Sequence, residues 1–95
     1  MNDSKKIKKV VKLLGLEEST PTTENDSITY DLVDDNGFGR VYVKLESTDN
    51  FEASDEHMKL DSKSASLKYF YGDDVEILLE GDFDNDVYKV VITEA

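Results

Sequence analysis

The chain has 95 residues, no cysteine and a formal net charge of −11. This length predicts one domain, residues 1–95, with a core too thin to enclose a large cofactor. The lack of cysteine excludes disulfides, a thiolate nucleophile and cysteine-based zinc sites. Residues 1–12 lack the apolar stretch of a signal peptide, and no apolar run is long enough to span a bilayer. We therefore expect a cytoplasmic protein that acts through its surface and has no membrane partner.

The charge is distributed unevenly along the sequence. Residues 1–16 hold five Lys and one Asp, a net of +4, so residues 17–95 hold six basic and twenty-one acidic side chains, a net of −15. A surface this negative repels nucleic acids and attracts basic partners. The composition therefore argues against direct binding to nucleic acid and favours a basic protein surface as the partner. Solubility alone would also explain an acidic surface, and that alternative stays open.

Residues 4–14 are predicted to form an amphipathic helix. Four apolar residues share one face of this helix at i, i+3, i+4 and i+7 spacing: Ile7, Val10, Val11 and Leu14. One of residues 2–4 can cap its start, and Gly15 suits the left-handed position after the last turn. Because a helix this short is marginal alone, we expect it to dock on its own sheet. The alternative is a helix that contacts a membrane surface or a partner.

The next part of the chain is predicted to be a linker and a hairpin. Residues 17–26 contain the only proline and have no periodicity, which predicts the linker. Residues 27–46 are predicted to form a β-hairpin, because Asn36-Gly37 is the preferred dipeptide of a type I′ turn. This hairpin would place three apolar pairs on one face: Ile28 with Leu45, Tyr30 with Val43, and Leu32 with Val41. A shift of one residue in register would destroy that segregation.

The C-terminal part is predicted to contain three strands, residues 65–71, 74–80 and 87–93. The last two strands are expected to form a second hairpin around an acidic turn. Its predicted cross-strand pairs are Ile77 with Ile92, Leu79 with Val90, Gly81 with Tyr88 and Glu80 with Lys89. Leu78 and Val91 are apolar on the second face of these strands, so we expect a cover on both sides, with the N-terminal helix as one cover.

Residues 47–64 form a segment whose structure the pattern leaves open. Within it, residues 54–60 either begin a capped helical turn or form a strand that pairs with residues 65–71, and we favour the strand. The elements together predict an α+β fold. It consists of an N-terminal helix followed by about five antiparallel strands, arranged as a meander or as a small barrel of the OB-like or SH3-like kind.

No catalytic or cofactor motif is present in the sequence. Asp82–Asp86 carries alternate carboxylates, as a calcium loop does, but Val87 and Thr93 stand where an EF-hand loop needs Gly and Glu. We interpret this segment as an acidic hairpin tip. The only histidine, His57, lies in a polar stretch with no activated nucleophile and is predicted to be a solvated imidazole. We expect no enzyme activity, no cofactor and no metal.

The acidic side chains give the leading functional hypothesis. Residues i and i+2 of a strand share a face about 6.7 Å apart, which is close to the spacing of successive phosphates along one nucleic-acid strand. We predict that such a row mimics nucleic acid and blocks the basic groove of a DNA- or RNA-binding protein, driven by counterion release. The residues assigned to this surface are Glu76, Glu80, Asp82, Asp84, Asp86, Asp34 and Asp35. In composition the chain resembles phage-encoded counter-defence proteins (anti-restriction and anti-CRISPR proteins), which implies an inhibitor.

The alternative hypothesis is a small β-barrel adaptor or assembly subunit that binds a protein through aromatic anchors. Its surface residues would be Tyr30, Tyr42, Tyr69 and Tyr71. The two hypotheses predict different salt dependence, since a mimic should lose affinity steeply between about 50 and 200 mM salt and an adaptor much less. An edge strand is also a possible contact across a homodimer axis.

Overall fold

A computed structural model of the chain describes residues 5–24, 26–55 and 59–94. These residues form two helices and seven strands: α1 Lys5–Leu13, β1 Thr22–Thr23, β2 Ser27–Leu32, α2 Asp35–Ser47, β3 Phe51–Ala53, β4 Lys59–Leu60, β5 Ser64–Tyr71, β6 Val75–Asp82 and β7 Val87–Glu94. The strands pair antiparallel in the order β1-β2-β7-β6-β5-β3, and β4 also pairs with β5. The fold is α+β, as predicted, and β5, β6 and β7 form a meander.

Of the two predicted arrangements, a meander or a small barrel, the barrel is wrong, because the sheet is not closed. In the described part of the chain, β1 and β3 lie at opposite edges of the sheet. The residues that were expected to supply two further strands instead supply one strand and α2. An open sheet with one apolar face needs a second layer to cover that face, and the two helices provide it.

The core lies between the helices and one face of the sheet. Alternate residues along β6 and β7 are buried, including Ile77, Leu79, Val90 and Ile92, and they form one cluster with the buried residues of both helices. The residues between them are half-buried on the opposite face, which we call the open face. Neither of the described helices is long and apolar enough to cross a membrane.

Helix α1 confirms the predicted amphipathic pattern and its C-terminal cap. Its four predicted face residues are all buried: Ile7, Val10, Val11 and Leu14. Gly15 has φ +73°, the Gly15 amide donates to the Lys12 carbonyl at 3.1 Å, and the Leu16 amide donates to the Val11 carbonyl at 3.0 Å. This pair of hydrogen bonds satisfies carbonyl groups that the last turn leaves without a helical partner. The predicted N-terminal cap, residues 2–4, lies outside the described residues.

The predicted hairpin at residues 27–46 is wrong, because α2 occupies most of it. Asn36-Gly37 lies in the first turn of α2, and Asp34 caps that helix with an oxygen that accepts a hydrogen bond from the Gly37 amide at 2.9 Å. Phe38, Val41 and Leu45 are buried on one side of α2 at helical spacing. The same apolar residues fit strand alternation and helical periodicity, and burial of a second layer on the sheet favours the helix.

Strands β6 and β7 pair in the predicted register, and all four predicted pairs between them form. Leu78 and Val91 face each other on the open face and are only half-buried. The described residues therefore do not cover both faces of the sheet, and the expected two-sided cover is wrong for them.

Thr22–Thr23, within the predicted linker, pairs with β2. The described ends of the segment at residues 54–60 pair with β5, as favoured, whereas His57 lies outside the described residues.

Candidate functional site

The pairing of β2 with β7 brings two acidic segments to one end of the molecule. Leu32, the last residue of β2, lies opposite Tyr88 near the start of β7. Asp34 and Asp35 lie just beyond the end of β2, where α2 begins, and Asp82 ends β6 at the turn of residues 83–86 that leads to β7. Five of the seven carboxylates that were assigned from the sequence therefore meet here, and we call them the acidic end: Asp34, Asp35, Asp82, Asp84 and Asp86.

Local hydrogen bonds hold two of these carboxylates in place. Asp34 is the N-cap of α2, where its Oδ1 accepts from the Gly37 amide at 2.9 Å. Asp82 accepts from the side-chain amide of Asn85 at 2.8 Å and from the Asn85 backbone amide at 3.3 Å. Short polar side chains at a helix cap and in a turn make such bonds because they satisfy otherwise unpaired backbone amides. Asp34 is therefore held at the start of α2 and Asp82 at the β6–β7 turn.

Tyr88 lies in the middle of the acidic end. Its side chain is almost fully buried, and its hydroxyl donates a hydrogen bond to Asp86 Oδ1 at 3.3 Å. Burial raises the pKa of this hydroxyl, and the negative charges of Asp86, Asp35 and Asp34 raise it further. Asp34, Asp35 and Asp86 therefore lie on the same side of the molecule as the Tyr88 hydroxyl.

An aromatic cluster lies beneath the acidic end and fixes its two segments to each other. The Phe38 ring of α2 meets the Phe83 ring of the β6–β7 turn edge to face, with centroids 5.6 Å apart, and lies 6.1 Å from the Tyr88 ring. Both Phe38 and Phe83 press on Gly81, since a β-carbon at that position would lie 3.0 Å from each ring. Gly81 is therefore the point at which α2 approaches β6 closely.

The other two predicted carboxylates, Glu76 and Glu80, lie on β6 and face the open side of the sheet. Glu76 forms an ion pair with Lys68 at 3.3 Å, and Glu80 forms one with Lys89 at 3.6 Å. The predicted row of alternate acids along β6 is therefore interrupted by two lysines. The third ion pair of the described residues, Lys6 with Asp74, lies at the opposite end of the sheet, so no described ion pair includes the acidic end.

The tyrosines of the alternative hypothesis mostly lie within the fold. Tyr30 and Tyr69 are buried, and Tyr42 and Tyr71 are half-buried against the core. The Tyr69 hydroxyl donates to a carboxylate oxygen of Glu46, which ties α2 to the sheet. Burial raises the pKa of Tyr69, and the bond to Glu46 raises it further. Only Tyr42 and Tyr71 keep ring surface available for an aromatic anchor.

A groove of about 620 Å³ lies next to the acidic end, between α2, the end of β2 and the loop after α1. Two of its lining residues are exposed valines: Val33 is 92% exposed and Val43 is 59% exposed. Sequence reasoning missed this groove because the predicted hairpin placed Val43 in the core. Helical periodicity starting at Phe38 was the signal that would have placed Val43 on the outside.

This end of the molecule combines carboxylates at the start of α2 and at the β6–β7 turn with a mainly apolar groove beside them. Among residues 5–24, 26–55 and 59–94, no three or more His, Asp or Glu side chains are grouped so as to hold a metal ion. No family model, curated protein or solved structure matches the chain.

Proposed function

We propose that the chain is a non-catalytic binding protein that occupies the basic groove of a nucleic-acid-binding protein. Its contact surface is the acidic end. The observation that supports this proposal best is the convergence of five carboxylates from two distant segments, where no lysine or arginine of the described residues forms an ion pair with them. A basic groove that binds phosphates would also bind such a cluster.

The energetics of the proposed contact are those of phosphate binding. Asp34, Asp35, Asp84 and Asp86 are exposed, so a partner's Lys and Arg side chains can reach them. The partner would release the counterions that it holds, and this release makes the affinity depend strongly on salt. The hydrogen bonds to Asp34 and Asp82 hold the start of α2 and the β6–β7 turn before binding, which reduces the entropy lost on association.

The carboxylates of β6 contribute less to the proposed contact. Glu76 and Glu80 already have lysine partners, so their charges are partly neutralised before any partner binds. The proposed mimicry therefore belongs to the acidic end rather than to a straight row along one strand. The resemblance in composition to phage counter-defence proteins extends the proposal to an inhibitor that acts in the cytoplasm on a DNA- or RNA-cleaving system.

The proposal is tested by affinity capture from a nuclease-treated cell lysate, with the immobilised wild-type chain and two variants of equal charge. The first variant is D34N/D35N/D84N at the acidic end. The second is D26N/D49N/D73N, three exposed carboxylates elsewhere on the surface. We expect a partner that wild type and the second variant retain and the first variant loses. That partner should be displaced by duplex DNA, and binding should weaken steeply between about 50 and 200 mM salt.

If the D34N/D35N/D84N variant keeps the same partner with the same salt dependence, the acidic end is not the contact surface and mimicry is wrong. Binding that persists at about 200 mM salt and is lost when Tyr42 and Tyr71 are replaced by Ala would favour the adaptor instead.

A further inference from the structure

We propose that the groove beside the acidic end binds an apolar side chain from a basic segment of the partner protein. This inference rests on the proposed function and specifies the partner's chemistry: positive side chains for the carboxylates, followed by an apolar anchor for the groove. Anchors of this kind supply much of the affinity of protein interfaces, whereas charges supply steering and specificity.

The walls of the groove are mainly apolar and come from α2, the end of β2 and the loop after α1. The lining residues that matter here are Leu14, Leu16, Leu32, Val33, Val41 and Val43. The volume of about 620 Å³ is large enough for one or two bulky side chains. One wall is bare backbone, because Gly39 has no atom of another element within 4 Å of the place where a β-carbon would stand. An incoming segment can therefore approach α2 closely.

The exposure of the two valines indicates that the groove is a contact surface. Val33 is 92% exposed and Val43 is 59% exposed, and the other strongly exposed large hydrophobic residues of the described chain are Leu60 and Val87. Both line the same groove. Exposed apolar residues scattered singly are ordinary, but two that flank one groove beside a charged cluster are typical of a binding site.

The charges around the groove determine how a segment lies in it. Asp31 lines the groove near the end of β2, and Asp34 and Asp35 lie just beyond it at the start of α2. Arg40 and Lys44 lie further along α2, and the Lys44 ammonium lies over Gly15 at the C-terminal end of α1. A uniformly basic segment would be repelled by Arg40. The positive side chains must therefore stand toward Asp34 and Asp35, with the apolar anchor pointing toward Arg40 and Lys44.

The same charges disfavour other occupants. A second copy of this chain also carries a net charge of −11, so two acidic ends brought together at their grooves would repel each other. An anionic membrane surface would be repelled for the same reason. A basic protein segment is the occupant that gains from both the carboxylates and the apolar walls.

The test uses two synthetic fluorescein-labelled peptides and fluorescence anisotropy. One peptide has three Lys followed by two Leu, and the matched peptide has two Ser in place of the Leu. Wild type is expected to bind the Leu peptide about tenfold more tightly than the Ser peptide. The V33S/V43S variant should lose this preference and bind both peptides as wild type binds the Ser peptide. Both substituted positions are exposed, so the fold should be kept, and circular dichroism checks this.

The matched control is L60S/V87S, which replaces two other exposed hydrophobic residues that do not line the groove. It should keep the tenfold preference. The groove proposal is overturned if wild type binds both peptides equally, if V33S/V43S keeps the preference, or if L60S/V87S loses it. The D34N/D35N/D84N variant separates this inference from the proposed function. If that variant binds both peptides as wild type does, the acidic end fails as a contact surface, while the Leu preference still reports on the groove.

Discussion

Replacement of Asp34 with Ala is expected to destabilise the protein by about 1 kcal/mol, because Asp34 caps α2. Its Oδ1 accepts the hydrogen bond of the Gly37 amide at 2.9 Å, and Ala leaves that amide without an acceptor from this side chain. Asp34 also stands at the positive end of the helix dipole, where a negative charge adds a few tenths of a kcal/mol. The loss should therefore fall near the middle of the range for N-cap substitutions.

The expected loss converts to a measurable temperature shift. For a chain of 95 residues, the unfolding entropy near the midpoint is about 0.2 kcal/mol per degree, so 1 kcal/mol lowers Tm by about 5 °C. The assay is thermal and urea unfolding followed by far-ultraviolet circular dichroism, which reports on α2 directly. The midpoint should fall without a change in the urea m-value, because the surface exposed on unfolding stays the same.

Asp34→Asn is the matched control, since Asn caps helices about as well as Asp but carries no charge. It should keep most of the stability that Asp34→Ala loses, and measurement at high salt screens the remaining dipole effect. If the two variants are equally stable, the cap does not hold α2. If Asp34→Ala leaves the helical signal and Tm unchanged, the structural assignment of this segment is wrong. The same Asn substitution removes charge in the binding experiments without disturbing the helix.

Further predictions concern packing and pH. Gly81→Ala should lower the free energy of unfolding by about 1–3 kcal/mol, because its β-carbon would lie 3.0 Å from the Phe38 ring. Gly39→Ala should raise the free energy of unfolding by as much as about 1 kcal/mol, because this helical position has free space for a β-carbon. Urea unfolding of both variants checks this. In the folded state the pKa of Tyr69 is raised by burial and by its bond to Glu46, so the folded protein holds this proton more tightly than the unfolded chain does. Its contribution to stability is present below the unfolded pKa of about 10 and is lost as the pH rises above that value. Tyr69→Phe should therefore lose less stability than wild type when urea unfolding is repeated from about pH 9 to about pH 12, and an equally steep loss would contradict the assignment.

The elements that the sequence predicts correctly are those that short-range chemistry specifies. The stripe of Ile7, Val10 and Val11 and the glycine at position 15 define α1 and its end within a few residues. The register of β6 and β7 follows from one tight turn and from alternation on both sides of it, so all four predicted pairs form. In both elements, the residues that determine the structure are neighbours in sequence or across a short turn.

Residues 27–46 could not be assigned from the sequence because two periodicities fit the same apolar residues. Phe38, Val41 and Leu45 suit one face of a helix, and Val41 and Leu45 also suit one face of a strand. The structure resolves this through the pairing of β2 with the distant β7, which leaves α2 free to cover the sheet. No local pattern contains that pairing.

The acidic end shows the same division. The sequence alone determined the net charge, the absence of cysteine and the acidic turn between β6 and β7. It placed Asp34 and Asp35 beside a hairpin turn, whereas they lie at the start of α2. Only the tertiary structure decided that these two segments meet, because the pairing of Leu32 with Tyr88 joins strands from distant parts of the chain. It also decided that Glu76 lies beside Lys68 of β5, since that contact depends on the order of the strands, whereas the contact of Glu80 with Lys89 followed from the predicted register of β6 and β7. Charge is a property of each residue, whereas the surface that it forms depends on which strands pair.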